Sequence, residues 1–239
     1  MTISIRQASP VTVVSGYVTT VSCTLPAAPV SGNRLVWLQA VDKNAGTWTP
    51  PSGFTTRESQ AASSMSMLIA DKVSDGSESG ALSSGWTSSR PTKAVVLELQ
   101  ASGGATIVYD DSNSQETESA GTSYSTGAAT SGANNPYAIT MWGNDSAKSN
   151  PANPDPTGSW TGGITSYIEN WFATGGIGEP GLVVGYGAVA ASSSVSSTYS
   201  HDGNSDQMAA GIIIYSETGG SGGGSFNAGR AINSNQVVQ

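Results

Sequence analysis

Apolar and polar residues alternate along most of this chain, and clusters of Gly, Pro, Asn, Asp and Ser interrupt the alternation every 10–20 positions. A period of two between turn residues predicts β-strands. In the first half it places strands near 2–7, 11–24, 34–41, 53–58, 64–72, 81–88 and 93–100. In the second half they fall near 105–110, 122–129, 136–143, 160–168, 180–191, 194–201 and 208–216. No stretch carries a 3.6-residue stripe, and Ser166 to Ala173 is only a weak helix candidate.

The two sets of strands run in parallel. Met1-Thr2-Ile3 resembles Ala105-Thr106-Ile107, and Leu35-Val36-Trp37-Leu38 resembles Ala138-Ile139-Thr140-Met141 at an offset of 103. Trp48-Thr49 resembles Trp160-Thr161 at 112, and Met67-Leu68-Ile69 resembles Leu182-Val183-Val184 at 115. Ala94 to Leu97 resembles Gly211 to Ile214 at 117. A growing offset is what a duplication with loop insertions produces, although chance likeness among β-rich segments is the competing explanation. Most of the growth lies between Asp145 and Trp160, where 150–156 reads as an added surface loop.

This plan predicts two tandem β-sandwich halves, jelly-roll or immunoglobulin-like, over 1–103 and 104–217, with the junction near Gln100 to Glu118, charged and polar over Asp110 to Glu116. Residues 218–239 read as a Gly-rich linker and a C-terminal arm carrying Phe226, Ile232, Val237 and Val238. Such an arm is suited to adding a strand to a neighbour's sheet edge. In each half the aliphatic residues should fill the core: Val36, Leu38, Val95 and Leu97, then Ile139, Met141, Ile212 and Ile214. Trp37 and Trp142 alternate with them and should point outward, as an interface or a glycan platform. Glu98 should point outward as well.

Composition supports the all-β reading. Only 11% of residues are charged, and the polar remainder is Ser, Thr, Asn and 30 Gly, which suits water-facing sheets better than helices. The net charge of −8 is uneven. Through Leu99 there are seven basic and six acidic residues, whereas Gln100 onward holds two basic and eleven acidic ones. That half disfavours nucleic acid and anionic membrane as partners. No apolar run is long enough to span a bilayer, and no signal peptide is visible, so synthesis in the host cytoplasm is expected.

Candidate chemistry is sparse. The single histidine, His201, sits in Tyr199-Ser200-His201-Asp202-Gly203 and reads as a residue at a strand end. Cys23 has no disulfide partner and reads as a small buried apolar residue. Asp202 to Asp206 has a D-x-N-x-D spacing but lacks the central Gly and closing Glu of a calcium loop, and Asp71, Asp75 and Glu78 surround an Asp75-Gly76 turn. The expectation is a non-enzyme without catalytic residues, metal or cofactor.

Leu35 to Val41, Pro51-Ser52-Gly53-Phe54-Thr55, Ile69-Ala70-Asp71 through Asp75-Gly76, and Ala94 to Leu99 form a pattern. It resembles that of the tandem β-sandwich structural proteins of tailed bacteriophages, found among capsid decoration, head-fibre and minor tail proteins. The likeness covers about 15–100 closely and 120–216 loosely. There Gly162-Gly163-Ile164 replaces the Pro-x-Gly-Phe corner and Gly185-Tyr186-Gly187 the acidic turn. The resemblance implies a small virion protein, a capsid decoration or other head or tail component, with other virion proteins and copies of itself as partners. The alternative is a carbohydrate-binding adhesin or receptor-binding module using Trp37, Trp142 and the tyrosines. A secreted bacterial surface protein is a third class, which the missing signal peptide argues against.

Overall fold

A computed structural model describes residues 2–61, 63, 65–78, 80–144, 157–170, 180–202 and 206–218. The described chain is all-β, built from antiparallel strands. The first half contains β1 (Ile3–Ala8), β2 (Thr12–Thr24), β3 (Arg34–Asp42), β4 (Trp48–Thr49), β5 (Thr55–Ala61), β6 (Met65–Val73) and β7 (Ala81–Ala101). A single 3₁₀ turn, Ser102–Gly104, leads into the second half; its Gly103 and Gly104 take positive φ of 67° and 74°, which favours glycine. The second half contains β8 (Thr106–Gly121), β9 (Ser123–Ser125), β10 (Ala129–Thr130), β11 (Tyr137–Asn144), β12 (Gly158–Trp160) and β13 (Thr165–Asn170). It ends with β14 (Gly181–Ala188), β15 (Ser194–Val195), β16 (Thr198–His201) and β17 (Asp206–Thr218).

The main sheet of the first half runs β1-β7-β3-β6-β5, and that of the second runs β8-β17-β11-β14-β13. With β1 matched to β8, β3 to β11, β5 to β13, β6 to β14 and β7 to β17, the order is the same. Their inner faces meet in one large cluster that draws Val36, Leu38, Met67, Val95 and Leu97 from the first sheet and Ile139, Met141, Val184, Ile213 and Tyr215 from the second. The largest core is therefore shared between the halves.

Each sheet is covered on its outer face too. The first half of β7 pairs with β2 and β4, bends, and then enters the main sheet beside β1 and β3. Pro91 sits at the bend, where its missing N–H coincides with the shift in register against β2 between Val14 and Val18. This bent layer covers Leu35, Trp37, Leu68, Ala94 and Val96. On the other sheet a small β12-β16-β9 layer covers Trp142, Val183, Met208, Ile212 and Ile214. β3 and β11 are buried along their whole length in consequence.

Several expectations change here. All eight predicted core aliphatics are buried, but Ile212 and Ile214 face the outer layer, while Ile213 faces the shared core. Trp37 and Trp142 are fully buried, 0% exposed, because both faces of their strands are covered. Neither can serve as a surface platform. The junction expected near Gln100 to Glu118 contains the Ser102–Gly104 turn, but its polar stretch, Asp110 to Glu116, lies inside β8. Ser166 to Asn170 belongs to β13 rather than a helix, and 171–173 lie outside the described residues. So do the whole 150–156 loop and the arm beyond Thr218, Phe226 included.

Glu98 is buried rather than outward-facing. Its carboxylate accepts from the Val30 N–H at 2.8 Å, Asn33 at 2.5 Å, Gln7 at 2.5 Å and Arg6 at 2.6 Å, tying the loop after β2 to the edge strand β1. Burial pushes its pKa up, but these four donors outweigh that and hold it below the usual carboxylate range. A folded-state pKa below the unfolded one stabilises fully above the unfolded value, about pH 4.3, and the contribution is lost as pH falls through the folded value. Thermal melts between pH 7 and pH 2 should therefore show an acid limb that Glu98→Gln flattens while lowering Tm at pH 7. An unchanged acid limb in that variant would refute the assignment.

Candidate docking seam

Where two sheets pack face to face, their edge strands meet along two seams. Here β5 lies against β8 on one side, and β1 lies against β13 and β14 on the other. Exchanging the two halves converts one seam into the other, so equivalent construction would be the symmetric outcome. The two are built differently.

The β5–β8 seam is closed by polar contacts. Gln60 donates to the Ser114 hydroxyl at 3.0 Å, and the Ser112 and Ser114 hydroxyls each donate to the Glu58 carboxylate at 2.8 Å. The Arg57 guanidinium lies 3.9 Å from the centre of the Tyr109 ring and 2.7 Å from Asp71. Asp71 also accepts from the Tyr215 hydroxyl at 3.0 Å and pairs with Arg34 at 3.1 Å. Burial, and then the neighbouring Asp71 carboxylate, push the Tyr215 phenol far above its ordinary value, so it remains a donor.

The opposite seam is aromatic and hollow. Tyr137 stacks on Tyr186 with ring centres 5.9 Å apart, and Tyr186 meets Tyr167 edge-on at 5.5 Å. At one end of this ladder a cavity of about 490 Å³ is lined by Ile3, Asn135, Pro136, Tyr137, Ala188 and Val189, among others. At the other, a groove of similar volume lies between Pro10 and Val11 on one side and Tyr167 and Ile168 on the other. Tyr167 is 42% exposed. Burial, reinforced by the neighbouring tyrosines, raises the Tyr137 phenol, so it stays neutral at ordinary pH.

Other chemistry-bearing groups have structural partners. His201 ends β16, buried edge-on against Trp142 at 5.2 Å, and burial lowers its pKa against the opposing pull of Asp202. The Asp202 carboxylate accepts from the backbone N–H and hydroxyl of Thr157 at 2.8 and 3.0 Å. The rest of its D-x-N-x-D stretch falls largely outside the described residues. In the turn after β6, Glu78 pairs with Lys72 at 2.6 Å and takes the Ser74 hydroxyl at 2.7 Å. Cys23 is buried, and burial raises its thiol pKa, as its strand position implied. Among the described residues no three His, Cys, Asp or Glu side chains come together as a metal site, and no helix is long and apolar enough to cross a membrane.

The sequence reading placed its candidate contacts at Trp37, Trp142 and Phe226. The first two are core residues and the third lies outside the described residues. It passed over Tyr137, Tyr167 and Tyr186. The available signal was three tyrosines on strands of the same half, Tyr137 opening β11, Tyr167 in β13 and Tyr186 just after the Leu182–Val184 run of β14. The chain matches no family model, no curated protein and no solved structure.

Proposed function

We propose that this protein is a non-enzymatic structural component of a bacteriophage particle, a capsid decoration protein or another small head or tail protein. It is made in the host cytoplasm and built as two tandem sandwich halves fused through their inner faces. The observation that carries the reading is how its acidic side chains are used. Glu98 ties the loop after β2 to β1, and Asp71 gathers Arg34, Arg57 and Tyr215 between the sheets. Asp110 and Asp111 accept from the backbone N–H groups of Gly132 and Thr130, pinning the segment around β10. Groups that could perform acid–base or metal chemistry instead fix loops and sheets. A chain organised in this way holds a shape and presents surfaces, which fits the phage resemblance.

Its partners under this reading are other virion proteins and further copies of itself. The acidic second half keeps nucleic acid and anionic membranes away. A glycan-binding role loses both tryptophans and, among the described residues, is left with the exposed Tyr17 and Tyr167. Locating the protein by cryo-imaging of an intact particle tests the proposal, with density for the double sheet on the head or tail as the expected result. Its absence from purified particles, with glycan-array binding that disappears in Tyr167→Ala, would replace the proposal with the adhesin reading.

A further inference from the structure

We propose that the hollow end of the aromatic seam is the receptor for the protein's own C-terminal segment, with the Phe226 side chain entering the cavity beside Tyr137. The inference concerns how the chain closes on itself, and it holds or fails independently of the virion assignment.

Three observations carry it. The first is where the described chain ends. Thr218 pairs with Thr106 at the last register position of β17, and one residue earlier the Glu217 N–H donates to the Asn134 carbonyl at 3.0 Å. The Asn135 amide donates to the Glu217 carboxylate at 2.9 Å. Asn135 and its neighbours Pro136 and Tyr137 line the cavity, so the chain leaves β17 at the cavity's rim.

The second observation is length. Seven residues of Gly and Ser, Gly219 to Ser225, separate Thr218 from Phe226. A Gly/Ser sequence of that length spans about 15 Å on average. A ligand tethered on so short a linker is present at an effective concentration in the millimolar range. The chain's own cavity therefore has the advantage over that of a separate copy.

The third is chemical fit. The lining is mainly apolar, from Ile3, Pro136, Ala188 and Val189 with one face of Tyr137, and about 490 Å³ lies in the range of pockets that hold small organic groups. Tyr137 offers an aromatic ring to a phenyl group. Beyond Phe226 the segment's one charge is Arg230, on a half that carries eleven carboxylates and only one other cation. The internal pseudo-symmetry sharpens the point, because the equivalent seam between β5 and β8 is already filled by its own polar side chains.

The test uses the full chain with a photo-reactive benzophenone analogue of phenylalanine at position 226, prepared as an equal mixture of ¹⁴N- and ¹⁵N-labelled protein. After irradiation and digestion, the expected crosslinks join position 226 to Thr2–Ile3, Ala133–Tyr137 or Ala188–Ala191, with both peptides of a single isotope. Ala188→Trp, which places an indole in the cavity mouth at an exposed position, should abolish these crosslinks without lowering the melting temperature. Crosslinks to any other surface, no crosslink, or peptides of mixed isotope joined at the cavity would each overturn the proposal. The mixed case would assign the segment to a second copy.

Discussion

Replacing Asp71 with alanine should cost about 3–5 kcal/mol of folding free energy, the range for removing one partner of a buried ion pair. Asp71 and the ring of Tyr215 are fully buried where β6 of one half meets β17 of the other. The carboxylate holds Arg57 at 2.7 Å and Arg34 at 3.1 Å, and Arg34 also lies 5.4 Å from the centre of the Tyr215 ring. Truncation strands the Arg34 guanidinium and the Tyr215 hydroxyl in a region water cannot easily enter, and removes the partner of the half-buried Arg57. Because the network joins the two halves, the loss should fall on the whole molecule. Urea denaturation monitored by tryptophan fluorescence reads it as a lower midpoint at unchanged m-value. A loss below about 1 kcal/mol would mean that water or a neighbouring group replaces the carboxylate, and would refute the assignment.

The strand pattern made most of this architecture legible. All fourteen strand positions read from alternation overlap observed strands over half or more of their length, and the repeated order of the two main sheets matches the repeat seen in the residues. The exception in kind is 81–88 and 93–100, which form one bent β7 because the chain passes from the outer layer to the main sheet without leaving the ladder. The last repeat match was displaced by one residue. Leu97 and Ile213 share the inner face, so the structural offset there is 116, and a one-residue slip in a strand exchanges its two faces. Four consecutive aliphatic residues, Ala94 to Leu97, carry no alternation that could have set the register.

What alternation could not reveal was that both faces of the central strands are covered. It divides a strand into two faces and says nothing of what lies against the second. Trp37 was therefore assigned to the surface, whereas its indole N–H donates to Gln39 at 3.0 Å and Gln39 donates to Thr92 at 3.1 Å, a buried polar chain beneath the bent layer. Glu98 was misplaced for the same reason: its partners Arg6, Gln7, Val30 and Asn33 lie 65 to 92 residues away in the chain. The tyrosine seam depends on how two sheets diverge at one edge, which is a property of their packing.

The shared core leads to the second large effect: residues 1–104 expressed alone should not persist as a soluble monomer. Separation would expose Val36, Leu38, Met65, Met67, Ile69, Val95, Leu97 and Leu99 along one sheet face, all of them now buried. Each such side chain contributes about 1.5–3 kcal/mol through burial, and a contiguous apolar face of that extent drives association. The packing is also keyed. A side chain at Gly211 would come within 2.5 Å of the Met67 Cε and 2.8 Å of the Ile69 Cδ1, and one at Gly143 within 2.5 Å of the Met65 Cε. The second sheet thus supplies gaps into which the methionines of the first insert, a fit that another apolar surface would not reproduce. Co-expression of 1–104 with 105–239 should therefore yield a soluble one-to-one complex, while 1–104 alone aggregates or self-pairs. Size-exclusion chromatography with light scattering separates these results. A stable, monodisperse 1–104 monomer would show that the outer layer formed by β2 and β7 closes a sufficient core unaided, and that the face shared with the second half is an accessory contact.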